Sequence, residues 1–245
     1  MPRALVLIAS VLVLAGCSGL PAALQPTTGP ACDAGSVVPL DSAHVAYAAA
    51  APNGTTAYKT PGGAEIARFG STNVNDYPTV FEALAKRVDA SCKATWYRVQ
   101  LPIKPNGITG WVPARDVTLS PVRTRIVVSV SKRTLTLYRA GKVVLRATVA
   151  VGAAATPTPT GRFYVNQVLV PADTSGPYGP AALGVSAYSN VLTGWAQGGP
   201  IAIHGTNEPW SIGRAVSNGC IRLPNATLTR VFRLADAGTP VIINS

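Results

Sequence analysis

Short runs of alternating apolar and polar residues dominate the chain, and they are spaced as strands. Ile126-Val127-Val128-Ser129-Val130, Thr134-Leu135-Thr136-Leu137-Tyr138 and Val143 to Val151 repeat with a period of two, and Arg139-Ala140-Gly141-Lys142 reads as the hairpin loop joining the last two. Thr156-Pro157-Thr158-Pro159-Thr160-Gly161 makes a rigid turn before a further run from Phe163 to Val170. Nearer the start, Trp96 to Leu101 and Gly110-Trp111-Val112 are strand-like between turn signals such as Pro52-Asn53-Gly54, Pro61-Gly62-Gly63 and Lys104-Pro105-Asn106-Gly107. Thr79 and Glu82 have the spacing of a helical capping box, yet Val80 to Val88 also alternates, and strand is the preferred reading. Only one stretch is clearly helical: Asn225 as a cap, Leu228, Val231, Phe232 and Ala235 on one face, and Gly238 closing it before the strand Val241-Ile242-Ile243. The class is mostly β, with one short helix near the C-terminus.

Two blocks emerge, one small domain over about 41–120 and a second over 121–245, with the seam at Ser120-Pro121, where proline is expected to break a strand. A connection from Pro171 to Pro200, rich in Gly, Pro, Ser and Tyr and carrying Tyr178, Tyr188 and Trp195, is either a lid or a cover for short strands. Composition agrees with the β reading: charged residues are 13% of the chain, while Gly (23) and Pro (21) supply turns.

The apolar run Ala4 to Leu14 behind Arg3 is short for a membrane span and ends in small residues, as an export signal does. Leu14-Ala15-Gly16-Cys17 resembles the lipobox of bacterial lipoproteins. The resemblance implies a signal peptide over 1–16, a lipid on Cys17, a flexible tether over 17–40, and a protein anchored to the outer face of the cytoplasmic membrane, facing the cell wall. A net charge of +11 suits an envelope of anionic lipids and wall polymers. The basic residues form no stripe interleaved with aromatics, so nucleic acid is not an expected partner.

Setting Cys17 aside leaves Cys32, Cys92 and Cys220, an odd number in an oxidising compartment, which implies a spare thiol. Cys32 and Cys92 are the disulfide candidates; pairing them would tie the tether to the first domain and add about 4 kcal/mol in the chain-entropy model. No Cys-x-x-Cys or Cys/His cluster is present, so neither metal nor cofactor is expected.

Pro200-Ile201-Ala202-Ile203-His204-Gly205-Thr206 has the form of a buried strand delivering a histidine at its end, and Ser217-Asn218-Gly219-Cys220-Ile221-Arg222 follows. An imidazole that takes the thiol proton would leave a thiolate-imidazolium pair, and the amides of Gly219 and Cys220 would serve an oxyanion. Arg222 offers a forked cation for a substrate carboxylate, with Ser217 and Asn218 as small polar groups near the mouth. By residue type alone, a cysteine before Ile in a strand is as readily a buried hydrophobe.

The whole arrangement, Ile203-His204-Gly205-Thr206 followed by Ser217 to Arg222, resembles the L,D-transpeptidase (YkuD-like) catalytic domain. The likeness extends over about Arg125 to Ile243 and takes in Thr158-Pro159-Thr160-Gly161 and Gly176-Pro177-Tyr178-Gly179-Pro180. Trp96 to Pro102 with the two turns after it resembles bacterial SH3-like domains, an arrangement found in actinobacterial relatives, whose aromatics either grip glycan or peptide or fill a small barrel. The resemblance implies a β-sandwich in which Cys220 is the nucleophile, His204 the base, and the Gly205 carbonyl the group fixing the imidazole tautomer. Thr206, Tyr178 and Trp195 join Arg222, Ser217 and Asn218 as expected substrate-binding residues. Asn218 stands where the family usually has a second histidine. The implied reaction is acyl transfer on peptidoglycan stem peptides: a tetrapeptide donor forms a thioester on Cys220, and a second stem's amine resolves it into a 3→3 cross-link. Water in place of that amine would make an L,D-carboxypeptidase, and a wall-binding lipoprotein without catalysis is the third reading. Carbapenems are expected to trap the cysteine.

Overall fold

The computed structural model describes residues 31–245, and strands make up most of its regular secondary structure. Cys17 and the expected leader lie outside the described residues. β1 (Val37–Pro39), β2 (Ala46–Ala50), β3 (Thr55–Tyr58), β4 (Glu65–Phe69), β5 (Val80–Val88), β6 (Ala94–Gln100), β7 (Thr109–Pro113) and β8 (Thr118–Val122) make one antiparallel sheet. Its order is β4-β3-β7-β6-β5-β2-β8, with β1 paired to β5. The ambiguous segment is strand β5: Phe81, Ala83 and Ala85 alternate into the core, and the Thr79-Glu82 pair builds no helix.

Pro121 does not break a strand. It sits inside β8, opposite Tyr47, and β8 ends the sheet order, so the N–H that proline lacks is missing from an outer edge where no neighbour needs it. The chain passes from the first sheet to the second between Val122 and Thr124.

β9 (Thr124–Ser129), β10 (Thr134–Arg139) and β11 (Lys142–Thr148) start the second sheet, with Ala140 and Gly141 both at positive φ (47° and 77°) in the hairpin loop, as a two-residue turn of this twist requires. β12 (Val151–Gly152), β13 (Gly161–Leu169), β14 (Ala182–Tyr188), β15 (Pro200–His204), β16 (Ala215–Ser217), β17 (Ile221–Arg222), helix α1 (Asn225–Phe232) and β18 (Pro240–Asn244) follow. The sheet order is β11-β10-β9-β18-β13-β14-β15-β17, and β12 pairs with β16 in a separate parallel ribbon. The Pro171–Pro200 connection hides β14, Ala-Leu-Gly-Val-Ser-Ala-Tyr, almost wholly buried between β13 and β15. Leu183 and Val185 on one face and small buried residues on the other leave no apolar–polar alternation there to read.

α1 packs Leu228 and Val231 into the core of the second sheet. Its cap differs from expectation: Pro224 holds the N-cap position, and the Asn225 side chain caps nothing, because it is committed to another loop described below.

The sheets are packed on each other. Tyr164 of β13 is buried in the core of the first sheet with Phe81, Val99 and Leu101, while Arg162 ion-pairs with the buried Glu82 and, at 2.9 Å, with Asp41. Gly238 lies so close to β2 that a Cβ would stand 2.3 Å from the Ala48 Cβ. Cys32 and Cys92 are joined as a disulfide across a separation of 60 residues.

Candidate active site

The site forms where β15 and β17 run side by side. Ile203 pairs with Ile221 and His204 with Arg222 in parallel register, which sets Cys220 beside Ala202. Ile201, Ile203 and Ile221 point into the core, so strand alternation sends Ala202, His204, Cys220 and Arg222 to the opposite face. The register therefore does what sequence distance hides: it brings imidazole and thiol to one face of neighbouring strands.

His204 is 4% exposed, and its Nδ1 lies 2.6 Å from the Gly205 carbonyl oxygen. A carbonyl only accepts, so Nδ1 carries the proton and Nε2 keeps its lone pair for a base. The Tyr178 ring packs edgewise on the imidazole, centroids 4.9 Å apart. Cys220 is a free thiol, half-buried, and it lines two cavities. One, of about 300 Å3, is walled by Tyr178, Trp195, Asn218 and Leu192; the other, of about 450 Å3, also includes Tyr178.

Residues 123–243 match the family model of the L,D-transpeptidase catalytic domain, YkuD. YkuD of Bacillus subtilis strain 168 is 39% identical over 120 residues, covering 49% of this chain and 65% of its own; the chain thus spans just under two thirds of that relative. The solved catalytic domain of the E. faecium L,D-transpeptidase is 28% identical, with 49% of this chain and 95% of that one aligned, at a TM-score of 0.36. An L,D-transpeptidase structure from Mycobacterium tuberculosis H37Rv is 20% identical, with 69% and 91% aligned, at a TM-score of 0.43.

Within this YkuD-like domain, hydroxyls hold the cysteine segment. Ser217 Oγ donates to the Cys220 carbonyl at 2.6 Å and accepts from the Gly219 N–H at 3.2 Å. The second bond corrects one expectation: the Gly219 amide is engaged inside the turn and is not offered to an oxyanion. Among the described residues the Cys220 N–H has no hydrogen-bond partner, and it is the amide left for that role. Gly219 itself has a φ of 110°, which glycine alone adopts without strain, and a Cβ there would stand 2.9 Å from Ile201.

Three expected substrate contacts are scaffold instead. Ser217 is 1% exposed and spent on the turn. Thr206 is buried; its N–H donates to Asn225 Oδ1 at 2.8 Å and its Oγ1 accepts from the Glu208 N–H at 2.9 Å. Arg222 pairs with Glu208 through Nη1 at 2.5 Å, so its charge is already answered within the fold. Tyr178, Trp195 and Asn218 do line the cavity at Cys220.

Electrostatics change the resting chemistry. Burial lowers the His204 pKa to about 4, outweighing the Gly205 bond that raises it, and nearby Arg222 lowers it further. Burial likewise pushes the Cys220 thiol up, outweighing the lowering by the Ala202 backbone and by Arg222. Both shifts favour neutral thiol beside neutral imidazole, whereas the residues alone suggested a preformed thiolate-imidazolium pair.

Sequence reasoning missed the threonines and Asn225. Thr156 Oγ1 donates to the Ser217 carbonyl at 2.9 Å, and Thr158 Oγ1 donates to the Gly219 carbonyl at 2.8 Å, so the Thr-Pro-Thr-Pro-Thr turn is the brace of the cysteine segment. Its alternating threonines were the available signal. Asn225 Oδ1 occupies the space between Gly179 and Gly205, where a Cβ on either glycine would approach it to 2.5 or 2.4 Å. No local pattern announces that contact.

Proposed function

We propose that the protein is an L,D-transpeptidase acting on peptidoglycan stem peptides, with Cys220 as nucleophile and His204 as base. The observation that carries this reading is the pairing of β15 with β17, which sets a tautomer-fixed imidazole and a free thiol on one face above a cavity. Attack starts from the neutral pair: as Sγ bonds to the carbonyl carbon of the donor's third residue, Nε2 takes the thiol proton and passes it to the departing D-alanine amine. The Cys220 N–H faces the charge that develops on the carbonyl oxygen. The product is a thioester, and an amine of a second stem resolves it into a 3→3 cross-link. Asn218, Tyr178 and Trp195 line the donor side.

The address belongs to the same proposal: a lipid on Cys17 and a tether to the outer face of the cytoplasmic membrane, with the Cys32–Cys92 disulfide suiting an oxidising compartment. The N-terminal sheet is read as SH3-like; the cleft lined by Trp96, Tyr97 and Arg115 is its candidate wall-binding surface.

Intact-mass analysis with a tetrapeptide donor tests the chemistry. The wild type is expected to gain the tripeptide acyl mass and Cys220→Ala none; cross-linked dimers in the products mark a transpeptidase, tripeptides alone a carboxypeptidase. A carbapenem gives the same contrast as a stable adduct. If the wild type takes up neither acyl group, the enzymatic reading fails.

A further inference from the structure

The larger cavity at Cys220 has a wall that the YkuD-like domain does not supply. Asn75 and Asp76, from the loop between β4 and β5 of the first sheet, line it together with Gln167, Gln197, Tyr178 and Cys220. Three hydrogen bonds to two glutamines latch the loop. Asn73 and Asn75 both donate to Gln167 Oε1, at 2.9 and 3.0 Å, and Gln197 Nε2 donates to Asn75 Oδ1 at 2.8 Å. Asn73 Oδ1 in turn accepts the Asn75 and Tyr77 amides, which fixes the turn that presents Asp76 at a φ of 57°.

Asp76 is the one charged side chain lining this cavity, and among the described residues its carboxylate has neither an ion pair nor a hydrogen bond. That is against the grain of a chain with 21 Lys and Arg to 10 acidic residues. Asp76 is solvent-exposed where it lines the cavity that Cys220 also lines, and an unpaired carboxylate at that place in so basic a protein is complementary to a cation. In a transpeptidase the cation that must come to this place is the acceptor, because a primary amine travels as ammonium at neutral pH.

We infer that Asp76 receives the acceptor's ammonium group, so that the N-terminal sheet supplies part of the acceptor subsite. The inference rests on the transpeptidase reading and deepens it. The balance is closed. As the C–N bond forms and the C–S bond breaks, one of the three ammonium protons stays on the amide nitrogen. A second passes through His204 to the Cys220 sulfur, and the third leaves to solvent past Asp76.

The test uses the full chain, a tetrapeptide donor, and as acceptor a tripeptide stem with a free side-chain amine, or the same stem acetylated on that amine. Asp76→Asn keeps the backbone, since asparagine tolerates positive φ. The expected result is a fall of about tenfold in the ratio of dimer to hydrolysed product, a larger fall for Asp76→Lys, and recovery with Asp76→Glu. Thioester formation on Cys220, a half-reaction without the amine, is read by intact mass in the same samples. Dimer ratios unchanged in Asp76→Asn and Asp76→Lys, with the thioester formed, overturn the assignment of Asp76 alone. A wild type that forms no thioester overturns the transpeptidase reading, and this inference with it.

Discussion

Thr158 Oγ1 joins two backbone segments, accepting the Gly152 N–H and donating to the Gly219 carbonyl, each at 2.8 Å. The first bond anchors β12 and the second anchors the residue before Cys220, so one buried hydroxyl sets the height of the cysteine segment. Thr158→Val keeps the shape and leaves both backbone groups unpaired. The expected loss is about 3 kcal/mol of stability in urea unfolding, with a fall in the rate of carbapenem adduct formation. Thr158→Ser, which keeps the oxygen, should recover most of both.

The neutral resting pair gives a distinct pH profile. With the His204 pKa at about 4, the base stays competent well below the usual imidazole range. Cys220 acylation followed by mass from pH 3 to 8 should lose rate with an inflection near the folded value of 4, not near 6.5. Because burial raises the Cys220 thiol, iodoacetamide should label it at pH 8 more slowly than an exposed cysteine. Rapid labelling at neutral pH would mean a standing thiolate.

Cys32–Cys92 closes a separation of 60 residues and fastens the start of the described chain to the turn after β5. In the chain-entropy model a loop of this length contributes about 4 kcal/mol. Reduction, or the Cys32→Ala and Cys92→Ala pair, should lower the melting temperature measurably. It should leave Cys220 acylation intact, since neither half-cystine lines a cavity at the site.

The β class, the hairpin at Ala140-Gly141 and the helix were legible because each rests on local chemistry: period-two alternation, turn residues, an apolar stripe. A motif singled out Cys220 and His204, and the pairing of β15 with β17 brings the two to one face. What was not legible depends on a partner elsewhere in the chain. β14 escaped because a strand buried on both faces, with Leu183 and Val185 on one and Ala182, Gly184 and Ser186 on the other, has no exposed polar side to mark it. Arg222 looked like a ligand for substrate because nothing near it in sequence shows that Glu208 folds back onto it. Asn225 looked like a cap, the local job of that residue type, while tertiary packing gave its oxygen to Thr206. Pro121 looked like a break because its place at a sheet edge cannot be seen from the strand itself.

Two buried groups should pull the stability in opposite directions over one pH range. His204 is held at about 4 in the fold against an ordinary 6.5, so the unfolded chain binds the extra proton first; its contribution is full above pH 6.5 and is lost as pH falls through 4. Glu82 is buried beneath Arg162, and burial outweighs that partner and raises the carboxyl from 4.5 to about 7. Its contribution is therefore full below pH 4.5 and is lost as pH rises through 7. Arg162 stays charged, its pKa raised by Glu82 and Asp41 against its own burial, so the pair persists whenever Glu82 ionises. Each group spans about the same interval with opposite sign, and the wild type should show little slope from these two between pH 4.5 and 6.5. Chemical unfolding across that range separates them. Glu82→Gln should become steadily more stable as pH rises, by up to about 3 kcal/mol from the His204 contribution alone. His204→Gln should become steadily less stable, and equal slopes in the two variants would contradict the assignment of either group.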